Sequence, residues 1–504
     1  MSYLGIDIGM TGAKALVVSE TGRVLKRRYT DYGSDYKKDI QTRISPANVW
    51  AGVCKVIRGC RCDSLKEPLK CISVSVSGDD FFPADSKGRP LADVISAYQD
   101  TGKEYEEFII KQGGGEKRLF EITGQPVRGN VYPLHRMLWI KDNQPEIYNR
   151  TWQFLGWEEY INLLLTGECV SDYSLVSRTL LFDINRKKWS RHLTGKMGIE
   201  FEKLPKVEAP GKVIGRVRKR VAREFDLPPN CLVATGGFDQ AAASLGAGVT
   251  GESVSSLSLG TVIAGHWLIE KRNGIRSRDY SYCCSLAGDN YMGLFFSFNG
   301  CAVLNWFFRE FSGPGRRGDK QNDKYDYYNS RIVPGKPSGL FVLPHLAGAP
   351  QPYSDDDSRG AILGIRLDTS AADVLKAIYE GIAFDLKMNY QQLEADNISV
   401  KGIRASGGGS RSDAWMQILA NVLGYEISTL KTDEGSSMAA ALLAATAAGD
   451  FNSVAEAADS WVKDKKTVQP DQDSVKQFDE KYQKYLRLHR NVKSFNKYLG
   501  RYDD

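Results

Sequence analysis

The chain has 504 residues, 42% of them apolar and 25% charged, a balance that excludes a disordered or fibrous protein and leaves room for two full cores. Lys and Arg number 67 against 61 Asp and Glu, and a net charge of +6 is too thin over this length for the dense basic face of a nucleic-acid binder. The longest small-apolar run, Met438 to Ala448, is too short to span a bilayer, and MSYLGIDIG at the start lacks the unbroken apolar stretch of a signal peptide, so a cytoplasmic protein is expected.

The first predicted element is a strand at residues 3–8, YLGIDI. A turn at Gly9, Met10, Thr11 and Gly12 leads into a second strand, Ala13 to Ser19, and Thr21-Gly22 turns the chain again. This is a hairpin start. The glycine spacing is therefore not the dinucleotide fingerprint, which needs a helix directly after the turn. Residues 45–60 read as a helix and Cys71 to Ser77 as a buried strand. From about 104 to 165 the pattern is helical. Gly211 to Val217 follows, then a strand at Cys231 to Thr235, the pair Gly236-Gly237, and Asp239.

The second half opens like the first. Ser253 to Leu259 reads as a strand, Gly260-Thr261 as a turn, and Val262 to Trp267 as another strand, an echo that suggests two related halves. Later come a strand at Ile403 to Ser406, the glycine run Gly407 to Gly409, and a helix from Asp413 to Leu423. Residues 438–448 form an alanine-rich helix that must pack closely on something. Residues 474–493 place Val475, Phe478, Tyr482, Tyr485 and Val492 near helical spacing, so this helix docks back on the body. Linkers are expected near 245–252 and 309–331.

Nine cysteines, Cys60, Cys62, Cys283 and Cys284 among them, show no zinc spacing and read as reduced thiols, and the five scattered histidines suggest no histidine metal centre. The basic stretch Arg216, Arg218, Lys219 and Arg220 has no interleaved aromatics and reads as a solvated face. Trp306 and Trp415 read as core.

Three glycine-bearing turns follow strands: Asp7 to Thr11, Leu259 to Thr261, and Ser406 to Ser410. Glycine lets a backbone approach closely and aim its N–H groups at phosphate oxygens, and the hydroxyls of Thr11, Thr261 and Ser410 would add donors. Asp7, at a strand end beside the first turn, is placed like a magnesium-shell carboxylate acting through water. Asp239 is either a helix N-cap or a general base for phosphoryl transfer to a hydroxyl.

These motifs resemble the FGGY carbohydrate kinases, the family of glycerol kinase, xylulokinase and rhamnulokinase. YLGIDIGMTGAKALV looks like the first phosphate segment, ATGGFDQAAASLGAG the catalytic segment, LSLGTV the second phosphate segment, and SGGGSRSDAWMQILANVLG the adenosine segment. Gly360 through Glu380 fits a further family signature. The resemblance implies Asp239 as catalytic base, Gln240 as a substrate contact and Asp7 as the Mg²⁺-site carboxylate. It implies ATP contacts at Thr11, Gly12, Lys14, Gly260, Thr261, Gly300, Gly407, Gly408, Gly409 and Ser412. At the sugar end the chain departs from its best-known relatives: Gly78-Asp79-Asp80-Phe81-Phe82 stands where xylulokinases carry Met-His and glycerol kinases Arg-Glu, and Tyr98 and Gly102 flank Asp100 where Trp and Arg are usual.

The expected fold is α/β, two ribonuclease-H-like domains of the actin/hexokinase/Hsp70-like ATPase type around a cleft. Residues 1–247 would hold the sugar and base, and 248–504, with the docking C-terminal helix, the nucleotide. The expected activity is transfer of the γ-phosphoryl group of ATP to a neutral ketose or polyol, with Gly78, Asp79, Asp80, Asp100, Asn130 and Gln240 contacting it and Phe81 or Phe82 packing on an apolar carbon. Two acids there would repel a sugar acid. A sugar-independent ATPase and a catalytically silent sugar sensor remain alternatives. No nucleic acid or membrane partner is expected, and family habit allows a homodimer.

Overall fold

The structure, a computed structural model, describes residues 1–32, 45–60, 67–96, 99–272, 275, 277–311 and 321–499. Two seven-stranded sheets carry the fold. The first contains β1 (Ser2–Ile8), β2 (Gly12–Ser19), β3 (Val24–Asp31), β4 (Leu69–Val76), β5 (Val213–Arg216), β6 (Leu232–Ala234) and β7 (Gly237–Phe238). The second contains β8 (Val254–Leu259), β9 (Ile263–Ile269), β10 (Ser281–Cys284), β11 (Tyr291–Ser297), β12 (Gly402–Ser406), β13 (Glu426–Leu430) and β14 (Asp464–Val468).

Both sheets follow one plan. In the first, β3, β2 and β1 are antiparallel neighbours, and β4 and then β6 continue parallel to β1. In the second, β11, β9 and β8 are antiparallel, and β12 and then β13 continue parallel to β8. The similar hairpins legible in the sequence thus open two sheets of the same topology.

Burial explains why the strands read as nearly continuous apolar runs. Tyr3, Leu4, Ile6 and Ile8 are at most 1% exposed, as expected when helices cover a sheet. The alanine-rich helix Gly435–Ala447 is one cover, and its small side chains let it come very close. A Cβ on Gly5 would lie 2.0 Å from the Ser437 carbonyl oxygen, and one on Gly246 would lie 1.9 Å from that of Gly435. This helix, far along the chain, packs on the first sheet and on the helix Asp239–Gly246, and shares a core with both.

The second sheet packs with the helices Ala371–Ala395 and Asp413–Leu423. A reciprocal pair of hydrogen bonds between Ser370 and Asp373 starts the former, and Ser412 Oγ accepts from the Trp415 N–H at the start of the latter. Trp415 is fully buried and stacks on Tyr379, whereas Trp306 is only partly buried. The final helix, Gln472–Leu499, buries Phe478, Tyr482 and Tyr485 on one face, and its Lys481 reaches Glu380 and the carbonyls of Ser338 and Leu340.

The segment read as a polar linker differs. Residues 321–329 form a helix whose Tyr325 and Tyr328, three apart, pack on Phe308 and Phe307. Residues 312–320 lie outside the described residues, as do Cys62 and Tyr98. Arg216, Arg218, Lys219 and Arg220 are exposed, and every described cysteine is free.

Candidate active site

A cavity of about 530 Å³ opens where the two sheets' strand ends meet. Its wall takes Ser77 to Asp80 from beyond β4, Phe238 to Gln240 from the end of β7, Ser258 and Val262 from either side of the Gly260-Thr261 turn, and Phe296, Phe298 and Asn299 from the end of β11 and just beyond it.

Asp239 is the first residue of its helix; the cap position is Phe238, and no side chain caps this end. The N-cap alternative is therefore set aside. Burial, followed by the negative charge of Asp7, pushes the Asp239 carboxyl up to about 7; its hydrogen bond with Gln240 pulls the other way. Burial likewise pushes Asp7 up to about 6, opposed by Lys14 and by a hydrogen bond from Ser75 Oγ at 3.2 Å. Lys14 in turn pairs with Glu434 at 3.4 Å. Gln240 Oε1 lies 3.2 Å from His266 Nε2.

At the expected sugar end, Asp79 forms a two-armed ion pair with Arg178, and Asp80 accepts a hydrogen bond from Trp157 Nε1 at 3.4 Å. A Cβ on Gly78 would meet the Phe238 ring at 2.5 Å, so that position must be glycine for the ring to pack. Asn130 and Asp100 are not in the cavity wall. The Asn130 amide donates to the carbonyls of Gln99 and Thr101, and Asp100 is exposed. Phe81 and Phe82 are corrected to core residues, 4% and 0% exposed. Phe81 packs edge-on against Phe154, and Phe82 against Tyr160. The apolar wall facing the cavity comes from Phe238, Phe296 and the half-exposed Phe298 instead.

The glycine turns divide by what their missing side chains allow. Gly12 packs against Thr30 and Tyr29, while Thr11 is exposed. Gly300 lets the helix Cys301–Phe311 begin directly on the second turn, where the N–H groups of Cys301 and Ala302 donate to the carbonyls of Gly260 and Thr261. Gly407 and Gly409 are filled by Leu259 and Trp415, whereas a Cβ on Gly408 would meet nothing within 4 Å. The Ser410 hydroxyl, expected to face a phosphate, donates back to the Gly407 carbonyl at 2.8 Å. The Ser412 hydroxyl is engaged with Trp415 N–H and Asn329.

Several site residues escaped the sequence reading. Arg178 and Tyr132 line the cavity, and so do Arg128 and Asp279, paired at 2.6 Å. Arg178 sits in an apolar stretch, SLVSRTLLF, 99 residues from its partner, and no local pattern marks it. Repulsion of an anionic substrate by Asp79 is weakened, because its charge is matched by Arg178.

A family model for the N-terminal domain of the FGGY family of carbohydrate kinases matches residues 2–246, and one for its C-terminal domain matches residues 285–448. A xylulose kinase of Lactococcus lactis is 26% identical over 512 residues, spanning both chains completely. A gluconokinase of Bacillus subtilis is 26% identical and covers 94% of this chain and 93% of its own. Among solved structures, a ligand-bound xylulose kinase from Lactobacillus acidophilus superposes with a TM-score of 0.88 at 21% identity, covering 99% of each chain. The two-sheet architecture is thus that of the actin-like ATPase fold. Among the described residues, no helix is long and apolar enough to cross a membrane.

Proposed function

The chain belongs to the FGGY family of carbohydrate kinases and is a sugar kinase, and on that premise we propose that it transfers the γ-phosphoryl group of ATP to a hydroxyl of a neutral ketose or polyol, with Asp239 accepting the proton. The observation that carries this reading is the Asp239 carboxylate, held in the cavity wall with its proton affinity raised to near neutrality. A base is most effective when its pKa lies near the working pH.

The neutral substrate rests on charge matching. Among the described residues, both cationic side chains in the cavity wall are already paired, Arg178 with Asp79 and Arg128 with Asp279. A sugar acid would find no unpaired cation among the described residues there, while Asp79, still partly exposed, can accept from sugar hydroxyls. Phosphoryl transfer needs little else from the protein than positioning and charge. In this reading Thr11, Gly12 and Lys14 serve the phosphates from the first turn, and Gly260 and Thr261 from the second. Gly407 to Gly409 serve the nucleoside, with Gly408 the point of closest approach.

Asp7 fits a magnesium ion held mostly by water and phosphate oxygens. It is a single carboxylate with one side-chain hydrogen-bond donor, and no group of three or more His, Cys, Asp or Glu among the described residues could cage a metal. When bound, the ion would offset phosphate charge. Residues 1–247 supply the sugar-contacting acids, the base and one phosphate turn, and 248–504 the second phosphate turn and the nucleoside site, so closure of the cleft would exclude water from the reacting phosphate.

The test is ATP consumption with D-xylulose, L-ribulose, L-rhamnulose, glycerol and gluconate, each against a no-sugar control. A ketose or polyol turned over well above the control supports the reading. Gluconate as the best acceptor overturns the neutral substrate, and equal turnover without sugar overturns the kinase reading in favour of an ATPase.

A further inference from the structure

Asp239 is held from behind by side chains that do not line the cavity. Glu158, in the helix Trp157–Thr166, accepts the Gly236 N–H through Oε1 at 2.7 Å and the Asp172 N–H through Oε2 at 2.9 Å. Asp172 accepts the Ser174 hydroxyl at 3.0 Å, together with the N–H groups of Ser174 and Leu175. The Ser174 oxygen then accepts the Phe238 N–H at 3.0 Å. Glu158, Asp172 and Ser174 are all 0% exposed.

The spacing of the two anchored N–H groups is informative. Gly237 and Phe238 pair in parallel with Ser75 and Val76. The N–H groups of Gly236, just before this strand, and of Phe238 within it go instead to side-chain acceptors, Glu158 and Ser174. The strand can sit no closer to its neighbour, since a Cβ on Gly236 would lie 1.5 Å from the Val74 carbonyl oxygen. The backbone entering Asp239 is thus fixed on one edge by β4 and on the other by Glu158 and Ser174.

We propose that Glu158 and Ser174 are positioning residues for the Asp239 carboxylate: they hold the backbone of Gly236 and Phe238 so that the carboxylate meets the acceptor hydroxyl. The inference rests on the reading of Asp239 as general base. A misplacement of the order of 1 Å in a reacting group can cost about 100-fold in rate without weakening substrate binding.

The test compares Ser174→Ala, Glu158→Gln and Asp239→Asn in the full chain, with ATP and the best acceptor among the five compounds above. Ser174→Ala removes the acceptor for Phe238, while Glu158→Gln keeps the shape and replaces one acceptor by a donor. Both are expected to lower kcat by about 10-fold or more while KM for ATP and for the sugar stay within about twofold. Parent kcat in both, whatever their melting temperatures, overturns the positioning role if Asp239→Asn is inactive. Parent kcat in Asp239→Asn overturns the general-base reading itself, and the inference with it.

Discussion

Arg178 grips Asp79 through both carboxylate oxygens, Nε to Oδ1 at 3.1 Å and Nη2 to Oδ2 at 3.0 Å, while the Tyr132 ring lies 5.0 Å from the guanidinium carbon. Arg178 Nη1 also donates to Ser281 Oγ in β10, so one side chain joins the segment beyond β4 of the first sheet to the second sheet. With Arg178 only 7% exposed at its side chain, removing it would strand a carboxylate in the cavity wall.

Arg178→Gln should therefore lower kcat/KM for the sugar by about 10- to 100-fold and leave KM for ATP nearly unchanged. Breaking one partner of a buried pair costs about 3–5 kcal/mol at full burial, and less here because Asp79 keeps partial contact with water. Asp79→Asn in the same chain should restore part of the melting temperature. A double-mutant cycle on melting that gives no coupling would show that the pair is incidental.

Asp239→Asn should reduce phosphorylation by about 10²- to 10⁴-fold while ATP still binds. In the parent, kcat/KM should fall as pH drops through about 7, because protonation removes the base. Stability has its own sign. The folded pKa is raised, so between the ordinary carboxylate range and about 7 the folded state holds more protons than the unfolded one, and Asp239 loses stability as pH rises. The Asn variant should accordingly gain more melting temperature over the parent at pH 8 than at pH 5. Melting curves at both values check this.

Gly408→Val should weaken ATP binding and leave sugar binding intact. Its Cβ meets nothing within 4 Å and its φ is not in the left-handed region, so the fold tolerates the side chain and only a ligand would meet it. Gly409→Val is the contrast: a Cβ there lies 2.4 Å from the Trp415 ring, and the variant should lose stability. Calorimetric titration of both ligands, beside thermal melting, separates the two effects.

Gly300→Val should act on the second glycine turn by crowding its backbone. A Cβ at 300 would fall 2.7 Å from the Gly260 carbonyl oxygen and push the helix start away from the turn it braces. The expected result is a rise of about 10-fold or more in KM for ATP with a lower melting temperature, a shift of about 1.4 kcal/mol in apparent affinity.

Much of this site was legible from local chemistry. Strand, glycine turn and strand, read twice, located the two hairpins that open the sheets and carry the turns proposed for the phosphates. Asp7 and Asp239 stood out as acids beside such turns. What the sequence could not convey depended on contacts between distant segments. Arg178 and Asp79 are neighbours only once the fold has formed, and Asn130 spends its amide on the 99–101 loop for the same reason. Phe81 and Phe82 sit beside Asp79 and Asp80 in sequence, yet both rings turn into the core. Ser410 and Ser412 carry the right groups for a ligand, but their own backbones claim them first.

The contact between Gly5 and the helix Gly435–Ala447 bears on how the chain is made. The first sheet's four leading strands are synthesised by residue 76, but the helix that covers them begins 359 residues later. At roughly 5–20 residues per second, that is on the order of 20–70 s during which the apolar surface awaiting Ala439 to Ala445 has no cover of its own. A nascent chain halted after residue 247 should hold its first lobe open and bind a hydrophobic-surface chaperone on the ribosome, and one extended past residue 461 should release it.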